Sequence, residues 1–184
     1  MKRISLSLLI LERSGVMADK IGLDLGVGMK KHPDGDGFHW VGIDIRKFDG
    51  VDFVMNIGKE PLPFGNNTVD YIRSIHTYEH LYPDELFFSI EECFRVLKPT
   101  GTLHIEVPKA MTKAYYIHPD HKIGFLEDTF GFFQVPGNAE THDPHGYIKG
   151  FWHVSILPTD NPEAVHVDMH PNKKGGKFEY KEIK

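Results

Sequence analysis

The stretch of residues 21–28 limits what this chain can fold into more than any other. Apolar residues alternate there with small or acidic ones, and the stretch ends in two glycines, Gly26 and Gly28. The alternation predicts a buried strand, and the glycines predict a turn where a ligand can approach the backbone closely. A second apolar run, residues 40–45, carries Asp44 near its end. Two such strands with a carboxylate at the tip of the second are typical of an adenosine site.

The rest of the pattern predicts an α/β fold with a mostly parallel, seven-stranded sheet. Besides the first two strands, five more are expected at residues 51–55, 69–76, 102–108, 151–157 and 164–169. The last two, joined by a proline-rich turn, should form an antiparallel hairpin. Pro83 begins a helix whose apolar residues recur every three or four positions. Pro33 and its neighbouring glycines predict a loop, with at most one helical turn, between the first two strands.

The length of 184 residues predicts a single domain. Residues 1–16 are expected to form an N-terminal extension of uncertain order, as an extra strand or short helix. Alternatively, Met17 is the natural start of the protein. The apolar run there is too short to span a bilayer, and it lacks the cleavage site of a signal peptide. Residues 109–150 should form a cap-like insertion, and residues 172–184 a flexible tail.

Charge and cysteine content narrow the class of protein. The formal net charge of −5 disfavours a polyanion as partner, so a nucleic acid is not expected. A lone cysteine, Cys93, excludes an internal disulfide framework and is typical of a reducing compartment, which predicts a cytoplasmic location.

Two details of the glycine turn indicate the kind of adenosine cofactor. Lys31 stands where the dinucleotide-binding fingerprint has its third glycine. Asp24 lies just before Gly26, where a carboxylate would repel a pyrophosphate but would attract the ammonium group of an amino acid. The residues therefore favour a cationic cofactor over a phosphorylated one.

Seven sequence elements occur in the order and spacing of class I S-adenosylmethionine-dependent methyltransferases. They are Asp24-Leu-Gly-Val-Gly28, Asp44, Pro61-Leu-Pro-Phe64, Val69-Asp-Tyr-Ile72, Glu79-His80-Leu81, Arg95-Val-Leu-Lys-Pro-Thr-Gly101 and Val107-Pro108. The chain most resembles the small methyltransferase-11-like group, over residues 20–108. This resemblance implies a Rossmann-like class I methyltransferase fold. It also implies that S-adenosyl-L-methionine is the cofactor and S-adenosyl-L-homocysteine the product.

The resemblance also implies roles for individual residues. Gly26 and Gly28 would lie against the cofactor, Asp24 would serve its amino-acid end, and Asp44 would accept the ribose hydroxyls. Asn56 stands where the family usually has an aspartate beside the adenine amine, and an amide can still accept there through its oxygen. Ile57 and His76 are also expected beside the cofactor. The alternatives are ordinary turn residues for Gly26 and Gly28, a surface carboxylate at a strand end for Asp44, and a turn-forming residue for Asn56.

The catalytic group is expected among residues that follow the fourth and fifth strands. Methyl transfer to oxygen or nitrogen needs an aligned acceptor and often a general base. His76, Glu79 and His80 come directly after the fourth strand, and His121 lies in a stretch that resembles a histidine-rich segment of the same family. The alternative is structural, with Glu79 and His80 connecting the loop to the next helix and His121 holding its own loop.

Two close histidine pairs raise the question of a metal. They are His118-Pro-Asp-His121 and His142-Asp-Pro-His145. Each has a proline inside and neither has the spacing of a helical zinc motif, so no metal is expected.

The sequence therefore predicts methyl transfer to oxygen or nitrogen of a small molecule, a sugar or a glycan. No membrane partner is expected. Two alternatives stay open: a non-catalytic cofactor-binding or scaffold protein, favoured by Asn56 and the missing first helix, and a nucleic-acid methyltransferase. The acidic balance and the absence of a basic stripe weigh against the latter.

Overall fold

A computed structural model describes residues 20–35, 37–134 and 150–173. Its centre is a seven-stranded sheet in the order β3-β2-β1-β4-β5-β7-β6. The strands are β1 (Lys20–Leu25), β2 (Phe38–Asp44), β3 (Phe53–Val54), β4 (Val69–Ile75), β5 (Leu97–Pro108), β6 (Trp152–Leu157) and β7 (Ala164–Pro171).

The direction of the strands agrees with the prediction from the sequence. Strands β1 to β5 pair in parallel, β7 is antiparallel to β5, and β6 and β7 form an antiparallel hairpin. The predicted mostly parallel sheet with a C-terminal hairpin is therefore confirmed. Strands β2 and β3 lie on one side of β1, and β4 and β5 lie on the other. The strand order therefore reverses at β1. Crevices at such a reversal are where open α/β sheets bind ligands.

Two elements differ in length from the prediction. Strand β3 is only two residues long, although a strand over residues 51–55 was expected. Strand β5 begins at Leu97, five residues before the predicted start, because Leu97 already pairs with Val69. The register of β4 against β5 then shifts between Val69 and Tyr71, which leaves extra residues in β5 between Leu97 and Thr102.

Helices occupy the connections that follow β4 and β5. Helix α1 (Pro83–Val96) begins with a proline in its first turn, where the Glu85 carboxylate accepts the Tyr82 N–H at 2.9 Å. Its buried side chains include Leu86, Ile90 and Val96, which pack into the core. A 3₁₀ turn (Tyr78–His80) precedes α1. After β5 come a short helix α2 (Lys113–Tyr116) and a 3₁₀ helix (Glu127–Phe133). No helix occurs within residues 26–35, as predicted from Pro33.

The two faces of the sheet differ in character. In β5, Leu103, Ile105 and Val107 are fully buried in the core, whereas His104 and Glu106 alternate with them and are partly exposed. Polar side chains form a row across four strands on this second face, at the paired positions Asp24, Arg73, His104 and Asp168.

Several predicted segments lie outside the described residues. Residues 1–16, residues 135–149 of the cap-like insertion and residues 174–184 of the tail belong to them, so the division of the chain stays a prediction. Among the residues that the structure describes, no helix has the length and apolar character needed to cross a membrane.

Candidate functional site

A cleft of about 510 Å³ lies at the carboxyl ends of β1, β2 and β4. Its walls carry six of the seven residues predicted to bind a cofactor: Gly26, Gly28, Asp44, Asn56, Ile57 and His76. These residues are as far as 50 positions apart in the sequence. Parallel pairing brings them together, because the carboxyl ends of parallel strands meet at one edge of the sheet.

The glycine turn forms the floor of the cleft. Gly26 has φ 70° and Gly28 has φ 57°, a left-handed conformation that side chains of other residues disfavour. A Cβ atom on Gly26 would overlap the Thr77 side chain, whereas one on Gly28 would meet no atom of the described residues within 4 Å. Gly26 is therefore required by packing, and Gly28 leaves an open backbone surface toward the cleft.

Asp44 holds the turn in place from the end of β2. Its Oδ2 accepts the Gly28 N–H at 2.9 Å, and its Oδ1 accepts the Arg46 N–H at 2.8 Å. The residue is only 6% exposed. A carboxylate has about four lone-pair positions, so both oxygens keep acceptor capacity for a ligand after these two bonds.

Asn56 and Ile57 lie after β3, on the side of the cleft where an adenine was expected. The Asn56 Oδ1 accepts the Gly58 N–H at 2.9 Å, and the Asn56 N–H donates to Glu60 at 2.8 Å. Ile57 is buried in the core and also contributes to the lining. This part of the wall is thus a turn fixed by its own hydrogen bonds, with an apolar side chain beside it.

Asp24 is the predicted cofactor residue that does not line the cleft. It lies in the polar row on the second face of the sheet, where Arg73 Nε is 3.4 Å from its Oδ1. Its Oδ2 accepts the His32 N–H at 3.1 Å. Burial raises the pKa of this carboxyl above its ordinary value. These contacts connect Asp24 to the loop after the glycine turn; its role at a cofactor stays a prediction.

A second cavity of about 430 Å³ is lined by the four predicted catalytic residues, His76, Glu79, His80 and His121. His76 and His80 line both this cavity and the cleft. The boundary between the two cavities therefore consists of imidazole groups. His76 has φ 51°, an unfavourable conformation for a residue with a side chain and one often found at functional sites.

His76 lies between two carboxylates. Its Nδ1 is 3.5 Å from Glu79 Oε1, and its Nε2 is 3.5 Å from Glu106 Oε1. The Glu79 carboxylate, assisted by that of Glu106, raises the pKa of His76 above its usual 6.5. The imidazole is half-exposed, with 54% of its side chain accessible, so it can reach a bound molecule.

Glu79 and His121 are much less accessible. Glu79 is 1% exposed, and its Oε2 has no hydrogen-bond partner within the described part of the chain. His121 Nε2 is 3.9 Å from Glu79 Oε1, and His121 Nδ1 is 2.7 Å from the Tyr115 carbonyl. His80 Nδ1 is 3.0 Å from Asp120 Oδ2.

Sequence reasoning missed two residues that also line the cleft, Thr77 and Lys122. Thr77 packs on Gly26 and donates its hydroxyl to the Leu25 carbonyl at 3.1 Å. Lys122 donates from Nζ to the His80 carbonyl at 2.7 Å and lies over the Tyr82 ring at 4.9 Å. Thr77 was recognisable from its place directly after His76. No sequence signal connects Lys122 to a turn more than 40 residues earlier.

The histidine pairs found in the sequence separate in the structure. The rings of His118 and His121 are 5.3 Å apart, but His121 lies closer to His80, at 4.8 Å. His142 and His145 lie outside the described residues.

The family described as "Methyltransferase domain" matches residues 7–105, more than half of the chain. A probable S-adenosylmethionine-dependent methyltransferase from Mycolicibacterium smegmatis is 32% identical over 110 residues, which is 50% of this chain. The chain spans only 41% of the length of that relative.

Solved structures share the fold at low sequence identity. A SAM-dependent methyltransferase from Archaeoglobus fulgidus superposes with a TM-score of 0.57 and 16% identity, covering 89% of this chain and 92% of its own. A 1,6-didemethyltoxoflavin-N1-methyltransferase from Burkholderia thailandensis, solved with bound 1,6-didemethyltoxoflavin and S-adenosylhomocysteine, has a TM-score of 0.53 and 13% identity. It covers 90% of this chain and 75% of its own. The predicted Rossmann-like fold is therefore confirmed.

Proposed function

The chain belongs to the methyltransferase domain family, and from this premise we propose that it is an S-adenosylmethionine-dependent methyltransferase. The cofactor would occupy the cleft beside Gly28 and Asp44, and the acceptor would occupy the adjoining cavity. The observation that carries the proposal is the Asp44 carboxylate, which is held by two backbone N–H groups at the carboxyl ends of β1 and β2 and lines the cleft.

The residues of the cleft fit this cofactor. The open backbone surface at Gly28 allows a close approach, and the Asp44 oxygens have acceptor capacity left for two ribose hydroxyls. Asn56 would accept a hydrogen bond from the adenine amine. Its Oδ1 retains a lone pair for this bond after accepting the Gly58 N–H. None of these contacts requires a phosphate-binding group, in agreement with a cationic sulfonium cofactor. When bound, S-adenosylmethionine supplies a methyl carbon whose leaving sulfur keeps the electron pair of the broken bond.

His76 is the proposed general base. Its imidazole lines both cavities, so it is positioned where an acceptor atom and a methyl donor would meet. The proton of an acceptor hydroxyl or amine would pass to the imidazole as the new bond to carbon forms. Because Glu79 raises the pKa of His76, the imidazole is a stronger base than free histidine, although it is neutral only at a higher pH.

The acceptor cavity favours a small polar molecule, a sugar or the end of a glycan. Its volume of about 430 Å³ lies within the range of small-molecule sites, and Glu79, Asn161 and Glu163 are among its lining residues. The two acidic side chains, Glu79 and Glu163, and the net charge of −5 disfavour a nucleic acid.

Calorimetric titration with S-adenosylhomocysteine tests the cofactor site. We expect binding to the wild type and a loss of affinity of about a hundredfold in Asp44→Ala, because two hydrogen bonds to a charged group disappear. Asp52→Ala is the matched control, since Asp52 also accepts a backbone N–H, that of Gly42 at 2.8 Å, but does not line the cleft. Absence of binding to the wild type, or equal losses in both variants, would contradict the proposal.

A further inference from the structure

Glu79, His80 and His121 form a compact group of metal-ligating side chains. Each offers one ligand atom, and these three atoms lie within 4.8 Å of one another. Glu79 and His80 belong to the 3₁₀ turn after β4, and His121 belongs to the loop after β5. The Lys122 N–H donates to the Glu79 carbonyl at 2.7 Å, which holds the two segments together. The group is therefore fixed by the backbone.

The hydrogen bonds of both histidines leave a ring nitrogen available for a ligand. The Tyr115 carbonyl can only accept, so His121 Nδ1 carries a proton and donates it, and the Nε2 of the neutral ring keeps its lone pair. The Asp120 carboxylate pairs in the same way with His80 Nδ1. Metal-bound histidines generally have this arrangement, in which a carbonyl or carboxylate orients the second ring nitrogen.

The carboxylate at the centre of the group is incompletely paired. Glu79 is 1% exposed, and its Oε2 lacks a hydrogen-bond partner among the described residues. The contacts of Oε1 with His76 and His121, at 3.5 and 3.9 Å, are longer than hydrogen bonds of good geometry. A buried, partly unpaired carboxylate is costly unless a cation neutralises it.

We propose that Glu79, His80 and His121 bind a divalent transition metal ion, with Zn²⁺ as the best match. Two imidazoles and one carboxylate form a known ligand set of zinc sites that keep a fourth position open. All three residues line the acceptor cavity, so the open position would face the acceptor. The role of the ion in methyl transfer rests on the proposed function. The acceptor would present a hydroxyl oxygen to the metal ion, and the ion would lower the pKa of that hydroxyl group.

This proposal replaces the expectation of a metal-free protein that the sequence suggested. The relevant partner of His121 is the Glu79-His80 pair from an earlier loop, rather than His118. A second group with the same ligand types, His104, Glu106 and His166, lies on the polar face of the sheet. There the carboxylate is more accessible, since 25% of the Glu106 side chain is exposed, so the second group has less need of a cation.

Cobalt binding tests the site independently of methyl transfer. The full-length protein would be freed of metal with a chelator, and then titrated with Co²⁺ while its visible absorption is recorded. We expect one equivalent to give the bands of a tetrahedral site, and Zn²⁺ to displace them. In His121→Asn the affinity should fall at least about a hundredfold, since even loss of an orienting partner can cost that much. His80→Ala provides a second test of the ligand set.

The controls separate this proposal from its alternatives. His118→Ala and His166→Ala should keep the wild-type Co²⁺ affinity, and a loss confined to His166→Ala would assign the ion to the sheet face instead. Lack of any Co²⁺ band in the wild type would overturn the proposal. S-adenosylhomocysteine binding by His121→Asn should be unchanged, because His121 does not line the cleft. Failure of the metal site and failure of the cofactor site are thus distinguishable.

Discussion

Each of the two cavities contains a buried carboxylate, but the two carboxylates differ in their hydrogen bonds. Asp44 is 6% exposed, and each of its oxygens accepts a backbone N–H. Glu79 is 1% exposed, yet one of its oxygens has no partner in the described residues and the other has only long contacts to histidines. Asp44 is therefore stabilised in the cleft without a ligand. Glu79, in the second cavity, gains stability when a cation or a proton binds.

The difference follows from how each side is built. The partners of Asp44 are backbone amides of the adjacent turn and of its own loop, which secondary structure fixes. The partners of Glu79 are side chains from separate loops, which can change protonation or ligation. Burial alone therefore does not distinguish the two carboxylates, whereas their hydrogen bonds do.

Alanine substitution of Gly26 should have the largest effect on the free energy of unfolding. Compared with the same substitution at Gly28, it tests whether the cleft is preformed. Both residues have positive φ, which costs alanine about 1–2 kcal/mol. In Gly26→Ala the new methyl group also overlaps Thr77, so we expect a total loss of about 3 kcal/mol or more in the free energy of unfolding. Gly28→Ala, which has open space, is the matched control. Urea unfolding measures both, and equal losses would show that the Thr77 contact does not constrain the turn.

Glu79→Gln should have an intermediate effect, which concerns the pKa of His76 and the stability of the second cavity. Without the negative charge beside it, the pKa of His76 should fall toward its ordinary value. A raised histidine pKa stabilises the fold fully below pH 6.5, and this contribution is lost as the pH rises through the folded-state value. Removal of the Glu79 charge should therefore lower the free energy of unfolding most at low pH. NMR titration of the metal-free protein checks the pKa, and an unchanged value would mean that Glu79 does not control His76.

Glu106→Gln should lower the same pKa by a smaller amount. Glu106 also lies 3.5 Å from His76, but its effect on the pKa of His76 is weaker than that of Glu79. The same NMR titration measures the shift, with Glu127→Gln as control, because Glu127 pairs with Lys109 instead. A shift in Glu106→Gln larger than in Glu79→Gln would reverse the order of the two carboxylates.

The sequence predicted most of the residues that line the cleft, but it did not predict the contacts of His121 with Glu79 and His80 in the second cavity. The alternation in β1, the Gly26 and Gly28 turn and the position of Asp44 depend on neighbouring residues, and the strand order then brings them to one edge. Asp24 shows the limit of this reasoning. Its place before the glycines predicts a cofactor contact, which stays a prediction, and it did not reveal that Asp24 lies on the face of the sheet where it pairs with Arg73.

By itself the sequence determined the strand pattern, the C-terminal hairpin, the family and the glycine–carboxylate edge, because each depends on local periodicity or on residues in a fixed order. Only the tertiary structure placed His121 and Lys122 against Glu79 and His80, and only it left one Glu79 oxygen without a hydrogen-bond partner among the residues that the structure describes. These contacts join loops about 40 residues apart, and no local pattern encodes which side chains meet there. Packing of the loops after β4 and β5 decided them.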